Sequence, residues 1–252
     1  MPTAEVNGIT TNYDLQGSGN GDLVVLVNGL ADDRFTWDAQ VSALLDDGFR
    51  TLNYDNRGIG KSARPPGPYT AEMMADDLRA LLGNIDLGTK KFHLLGISMG
   101  GMIAQSYAFK YPNGSSAAGG LETLSLSLCC TYAQPTRFCS RVFELWADMA
   151  QRMSVQDVMR DVMLWAFTVP FFSQREPDLM EVETAMRNLD MTVEAYLSQL
   201  NVLQKFDSTS ALESLKMQGR GMGGLQGRQV MVLAVGVSRR FQPNGDKFPQ
   251  RA

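Results

Sequence analysis

A serine lies between two glycines in the segment G-I-S-M-G at residues 96–100, and this spacing is suited to nucleophilic chemistry. The residues before it, 91–95, are mostly apolar and predict a buried strand, whereas residues 99–109 repeat apolar side chains at helical spacing. A serine on a sharp strand-to-helix turn presents its hydroxyl, and small residues two positions before and after it let the backbone turn tightly. The segment predicts a nucleophile elbow in which Ser98 is the nucleophile and Gly96 and Gly100 are the elbow glycines.

Backbone N–H groups near this serine could stabilise a developing oxyanion. The helix that follows Ser98 has free N–H groups and a favourable dipole at its first turn, so the N–H of Met99 is one expected donor. The loop Asn28-Gly29-Leu30 follows an apolar run that predicts a strand, and such a loop supplies the second donor in elbow-containing sheets. We therefore expect an oxyanion hole formed by Leu30 and Met99; an ordinary strand-to-loop turn at residues 28–30 is the alternative.

The base that should activate the serine is not evident in the sequence. The chain has a single histidine, His93, five residues before Ser98 on the same predicted strand. An extended strand rises ~3.3 Å per residue, which separates the two side chains by roughly 16 Å, so His93 is predicted to be a residue of the sheet. No acid stands out after the apolar run 124–129. The sequence thus offers neither a general base nor a triad acid.

Two glycine-rich segments resemble nucleotide-binding loops but lack the required spacing. The segment G-I-G-K-S at 58–62 has Asp55 where a phosphate-binding loop needs a glycine. The segment G-S-G-N-G at 17–21 precedes a strand, whereas a dinucleotide fingerprint follows one. We expect no nucleotide, no other cofactor and no metal site.

The elements that must position the serine alternate between strand and helix. Strand patterns occur at 22–28, 49–54, 92–95 and 124–129, with helical periods between them, one of which Thr70 can cap. This alternation predicts an α/β fold, with a mostly parallel sheet covered by helices on both faces. From about residue 136 to 206 the pattern becomes helical, with Ser154 and Thr192 as further caps. A methionine- and aromatic-rich insertion here could cover the carboxyl edge of the sheet as a lid and line an apolar pocket, or its side chains could simply pack against each other.

Composition limits the class of protein. The chain has 252 residues, is 44% hydrophobic and carries a net charge of −4, so no overall basic field attracts nucleic acid. Its first residues do not resemble a secretory signal, and no apolar run approaches the ~18 residues of a membrane span. The three cysteines, Cys129, Cys130 and Cys139, fit buried thiols in a reducing compartment. These features predict a cytoplasmic protein with no membrane span and no nucleic-acid partner; the oligomeric state stays open.

The last part of the sequence has a different composition from the rest. Residues 216–252 contain seven Lys and Arg against one acid, Asp246, whereas residues 1–215 contain 16 basic and 26 acidic residues. Seven of the 24 glycines also lie in this segment. We interpret residues from about 216 as the product of an intron or a shifted reading frame, which leaves open a degenerate or mis-spliced gene product.

Several motifs together resemble the α/β-hydrolases that include 3-oxoadipate enol-lactonases and aclacinomycin-type methylesterases. They are V-N-G-I at 6–9, V-N-G-L at 27–30 with Trp37, D-N-R-G-I-G-K-S at 55–62, Y-T at 69–70 with A-D-D-L at 75–78, G-I-S-M-G-G-M-I-A-Q at 96–105 and A-Y-L-S-Q-L-N at 195–201. The resemblance covers roughly residues 5–215. It implies a hydrolase core at 1–133, a helical lid at 134–210 and an atypical segment at 211–252 with one core strand at about 229–236.

The resemblance also shows where the sequence departs from the family. Asn28 replaces the usual histidine of the oxyanion loop, which functions through backbone N–H groups, and residues 113–120 form a longer surface loop. Arg239 stands where the family has its triad aspartate, and no histidine follows. The resemblance implies a serine hydrolase for an ester, lactone or related carbonyl of a small apolar metabolite, impaired or inactive in this chain. A non-catalytic protein that binds a small ligand is the alternative.

Overall fold

The computed structural model describes residues 2–212 and the strand at 231–236, with side chains described up to residue 211. The strands in this part of the chain are β1 (Thr3–Val6), β2 (Ile9–Gln16), β3 (Leu23–Val27), β4 (Arg50–Tyr54), β5 (Lys91–Ile97), β6 (Glu122–Thr131) and β7 (Met231–Gly236). They form one sheet in the order β1-β2-β4-β3-β5-β6-β7. The four central strands, β4, β3, β5 and β6, are parallel, and β1, β2 and β7 pair antiparallel at the two sides.

The helices cover both faces of the sheet, as the alternating pattern predicts. Those in the described residues are α1 (Asp38–Asp46), α2 (Ala71–Asn84), α3 (Met99–Lys110), α4 (Arg137–Arg152), α5 (Val155–Ala166), α6 (Val169–Gln174), α7 (Glu176–Arg187), α8 (Val193–Lys205) and α9 (Thr209–Leu212). Helices α2 and α3 bury their apolar residues with β3, β5 and β6 in the larger core cluster. Helix α1 packs on the opposite face through Val41, against Val24 and Leu26 of β3. The mostly parallel sheet between helical layers confirms the predicted α/β architecture.

The three predicted helix caps are confirmed. The Thr70 hydroxyl accepts a hydrogen bond from the backbone N–H of Met73 and starts α2. Ser154 starts α5 and Thr192 starts α8 through the same contact with the N–H three residues on. Each cap satisfies one of the N–H groups that a helix leaves unpaired at its first turn. The boundaries of α2, α5 and α8 therefore follow from local sequence chemistry.

The last described strand, β7, runs opposite in direction to the four parallel strands. The resemblance predicts a core strand at about 229–236, and the structure has β7 at Met231–Gly236; residues 229 and 230 lie outside the described part. This strand is antiparallel to β6, with Leu233 opposite Leu128 and Gly236 opposite Ser125. Gly236 is thus at the edge where the parallel strands begin, opposite the edge that carries Ser98. Arg239 and the rest of the 216–252 segment outside β7 are also outside the described residues.

The cysteines are only partly as expected. Cys129, Cys130 and Cys139 are all free thiols. Cys129 and Cys139 are partly buried, but Cys130 is exposed at the end of β6, where its φ is 49°. The expectation of buried thiols is therefore wrong for Cys130, which lies in β6 at the irregularity between Leu128 and Thr131, where its positive φ turns the side chain to the exposed side.

Candidate functional site

Ser98 lies at the turn between β5 and α3 with a strained backbone. Its φ is 54° and its ψ is −119°, which is an unusual conformation for a residue with a side chain. The turn is held from both sides: the Ser98 N–H donates to the carbonyl of Cys129 at 2.8 Å, and the Ser98 carbonyl accepts from the N–H of Gly101 at 3.0 Å. The residue stays partly exposed. This geometry is what the G-x-S-x-G spacing predicts, and it presents the hydroxyl at the carboxyl edge of the sheet.

The glycines around Ser98 are required by space. A Cβ on Gly96 would overlap the carbonyl group of Gly100 one turn later. A Cβ on Gly100 would overlap the carbonyl of Val27 and lie 2.6 Å from the carbonyl oxygen of Asn28. These neighbours are backbone atoms of α3, of β3 and of the loop after β3, so they cannot move aside as a flexible side chain would. Helix α3 therefore approaches β3 more closely than any other residue type allows.

The loop after β3 comes directly beside the serine. A Cβ built on Gly29 would be 3.5 Å from the Cβ of Ser98. Leu30 follows in this loop, and Met99 is the first residue of α3; both side chains are buried. Within the described part of the chain, neither the N–H of Leu30 nor that of Met99 makes a hydrogen bond. The structure brings together the serine and the two residues that the sequence proposes as oxyanion donors.

The same loop holds an acidic group that the sequence reasoning missed. Asp32 is partly buried, and its carboxylate oxygen Oδ2 lies 2.7 Å from the position that a Cβ of Gly29 would occupy. Loss of hydration, followed by the charge of Asp33, raises the pKa of Asp32 to about 7, against opposing hydrogen bonds from Thr36 and the Gly29 N–H. The adjacent aspartates at 32 and 33 could not be told apart in the sequence, because only the folded loop places the Asp32 carboxylate over Gly29.

A buried glutamine connects the helical insertion to this loop. The Oε1 atom of Gln199 in α8 accepts from the N–H of Ala31 at 3.0 Å, and its Nε2 atom donates to the carbonyl of Arg57 at 2.8 Å. Gln199 is fully buried, so both bonds are shielded from water. Gln199 thus fixes the Leu30 loop relative to the insertion and to the loop after β4. It belongs to the A-Y-L-S-Q-L-N motif, but its partners could not be read from that motif.

Comparison with known proteins agrees with this geometry. The family pattern for the alpha/beta hydrolase fold matches residues 22–118, which include β3, the Leu30 loop and the Ser98 turn. The crystal structure of an enol-lactonase from Burkholderia xenovorans superposes with a TM-score of 0.67 at 29% identity, over 82% of this chain and 74% of that one. The chain has the α/β-hydrolase fold.

Two further relatives extend the comparison. A thermophilic esterase from Thermogutta terrifontis has a TM-score of 0.68 at 29% identity, covering 86% of this chain and 77% of the esterase. The 3-oxoadipate enol-lactonase 2 of Acinetobacter baylyi is 31% identical over 110 residues, which are 44% of this chain and 40% of the lactonase. The sequence similarity to the lactonase is therefore concentrated in less than half of either protein.

His93 is a sheet residue, as its spacing predicts. Its Nδ1 atom lies 2.6 Å from the Ser125 hydroxyl on β6, and its Nε2 atom lies 3.9 Å from a carboxylate oxygen of Asp22. Burial lowers the pKa of His93, an effect that the charge and hydrogen bond of Asp22 oppose. The side chain is placed five residues before Ser98 on β5, away from the turn. In this position it cannot take the proton of Ser98.

We expect His93 to make the stability of the fold depend on pH. The folded pKa is below the value of about 6.5 for a free imidazole, so the unfolded chain binds the proton more readily. As pH falls below about 6.5, the contribution of His93 to folding free energy decreases, until the pH passes below the folded pKa. Urea unfolding of the wild type and a His93→Asn variant from pH 8 to pH 5 measures this difference. A wild-type-minus-variant difference that stays constant with pH would contradict it.

Among the described residues, no group of three or more His, Cys, Asp and Glu side chains is arranged to hold a metal ion. None of the helices described is both long enough and apolar enough to cross a membrane.

Proposed function

We propose that this α/β-hydrolase is a serine hydrolase that cleaves an ester, lactone or related carbonyl compound. Ser98 is the nucleophile, and the N–H groups of Leu30 and Met99 stabilise the oxyanion that forms when the hydroxyl oxygen attacks the carbonyl. The observation that carries this proposal is the strained Ser98 turn with its φ of 54°, next to a loop with an unpaired N–H. A fold maintains such strain where the exposed side chain has a function.

The substrate class follows from the relatives and from the insertion. The enol-lactonase and esterase names of the similar structures support a carbonyl substrate. The methionines of the insertion support an apolar small molecule, although the structure divides them. Met159, Met163 and Met191 are buried, whereas Met153 and Met180 are exposed. We take residues 134–210 as a lid over the serine, and we propose a small-molecule ligand, no nucleic-acid partner and a cytoplasmic location.

The rate should be far below that of a hydrolase with a complete triad. The sequence contains no histidine besides His93, and the structure places His93 away from Ser98. A neutral serine alcohol with an oxyanion hole and a binding site retains ~10³–10⁴-fold acceleration over water when triad members are removed. We therefore expect slow acylation of Ser98 and weak turnover of nitrophenyl esters.

The same observation favours a second candidate, a non-catalytic protein that binds a small apolar ligand. With His93 hydrogen-bonded to Ser125, no imidazole is available to the elbow. The insertion and the Leu30 loop would then enclose a ligand without cleaving it. Saturable binding of a ligand that is recovered intact by mass spectrometry would support this candidate.

The experiment that tests the serine hydrolase is covalent labelling of Ser98. With excess fluorophosphonate and long incubation, we expect one adduct per chain, located by peptide mass spectrometry on Ser98 and absent from Ser98→Ala. A Ser125→Ala variant is the matched control, because Ser125 is the serine that contacts His93. It should label like the wild type. Labelling that persists in Ser98→Ala would refute the assignment, and rapid labelling with efficient ester turnover would refute the expected low rate.

A further inference from the structure

The group that could activate Ser98 is in the loop beside it. A Cβ built on Gly29 would lie 2.7 Å from the Oδ2 atom of Asp32 and 3.5 Å from the Cβ of Ser98. The distance between the Oδ2 atom of Asp32 and the Cβ of Ser98 is therefore no greater than the sum of these two distances. At the long end of this range, a Ser98 rotamer that points to Asp32 brings the two oxygens within reach of one bridging water molecule, and at shorter separations it permits a direct hydrogen bond. Gly29 leaves the space that the carboxylate occupies.

We propose that the carboxylate of Asp32 is the general base that removes the proton of the Ser98 hydroxyl, directly or through one water molecule. This inference rests on the proposed role of Ser98 as the nucleophile. It gives the chain a base that the sequence alone does not reveal, and it assigns to the loop after β3 a second task beside oxyanion binding.

The electrostatic surroundings make Asp32 a suitable base. Loss of hydration and the like charge of Asp33 raise the pKa of Asp32 to about 7. A general base is most effective when its pKa is close to the pH of the reaction, so Asp32 suits a reaction at neutral pH. Asp33 is the charged group that acts on the Asp32 carboxyl among the described residues, with hydrogen bonds from Thr36 and the Gly29 N–H in opposition. The neighbouring Arg34 forms an ion pair with Asp14 at 3.2 Å.

The chemistry balances with these groups alone. The Ser98 oxygen forms a bond to the substrate carbonyl carbon while its proton passes to Asp32. Collapse of the tetrahedral intermediate breaks the bond to the leaving alkoxide, which takes the proton from Asp32. A water molecule then attacks the acyl-serine and gives its proton to Asp32. Release of the carboxylic acid product breaks the acyl–serine bond, and the proton returns to the Ser98 oxygen.

The pH profile of Ser98 labelling tests the inference. The wild-type rate of reaction with a fluorophosphonate should rise with pH through a midpoint close to the pKa of Asp32, about 7. Asp32→Asn keeps the shape of the side chain but removes the base, so its rate at pH 8 should fall by about 10²-fold and lose this midpoint. The matched control is Asp33→Asn, which removes the adjacent charge. It should retain labelling and move the midpoint to lower pH, because a like charge raises the pKa of Asp32.

The outcomes separate this inference from the proposed function. Labelling of Ser98 with an unchanged rate and midpoint in Asp32→Asn overturns the role of Asp32 alone. No labelling of Ser98 at any pH in the wild type overturns the proposed nucleophile and the base together. Urea unfolding at pH 8 shows whether Asp32→Asn is folded. If Asp32→Asn is not folded, the Asp33→Asn variant decides instead. A midpoint of the labelling rate in Asp33→Asn that equals the wild-type midpoint overturns the inference.

Discussion

Replacing Gly100 with alanine should destabilise the fold by about 3 kcal/mol and abolish labelling of Ser98. The new methyl group would overlap the carbonyl of Val27 and lie 2.6 Å from that of Asn28. Alanine is better than glycine inside a helix by about 1 kcal/mol, but this gain is smaller than the cost of displacing backbone in the central strand. Relief of the overlap must move α3 or the Leu30 loop. Urea unfolding and fluorophosphonate labelling measure both effects.

A second helical glycine provides the control. Gly83 is exposed near the end of α2, and a Cβ there would meet only the flexible end of the Arg79 side chain, at 2.8 Å. Gly83→Ala should therefore be neutral or stabilise the fold by up to about 1 kcal/mol, with normal labelling of Ser98. Equal effects of the two substitutions would show that the elbow does not depend on close approach at Gly100.

Local sequence chemistry predicted the elements that carry the serine. The β-branched run before Asn28, the G-x-S-x-G spacing and the hydroxyl caps at Thr70, Ser154 and Thr192 each act within a few residues, and each is found where expected. The antiparallel strands β1 and β2 were not predicted; β1 pairs with β2, and β2 joins the sheet through β4, which is distant in sequence.

The electrostatics of the site could not be predicted, because they depend on contacts made by folding. Asp32 and Asp33 are adjacent and identical in sequence, yet Asp33 caps a short turn by accepting from the N–H of Phe35, whereas Asp32 is directed over Gly29. Gln199 meets Ala31 from 168 residues away. The direction of β7 was likewise beyond a pattern of apolar residues, since such a pattern is the same in parallel and antiparallel pairing.

Loss of the buried ion pair between Arg57 and Asp77 should have the largest effect on stability. The guanidinium and carboxylate meet at 2.6 Å and 2.7 Å, and both side chains are at most 8% exposed. Asp77→Asn leaves the guanidinium buried without its charge partner, which typically costs about 3–5 kcal/mol. The Arg57 carbonyl accepts from Gln199, so displacement of this loop should also loosen the link between the insertion and the Leu30 loop. Urea unfolding at pH 7 measures the loss, and the labelling rate of Ser98 reports on the loop.

The matched control is an exposed pair with the same chemistry. Arg141 and Glu144 are 3.0 Å apart on the surface of α4, where both side chains are more than half exposed. Water and salt screen such a pair, so Glu144→Gln should change the free energy of unfolding by less than about 1 kcal/mol. The contrast isolates burial as the cause, because both substitutions convert a carboxylate that faces an arginine into an amide. A stability loss for Asp77→Asn as small as that for Glu144→Gln would mean that the Arg57 loop can admit water. The link through Gln199 would then have to hold the Leu30 loop without support from the ion pair.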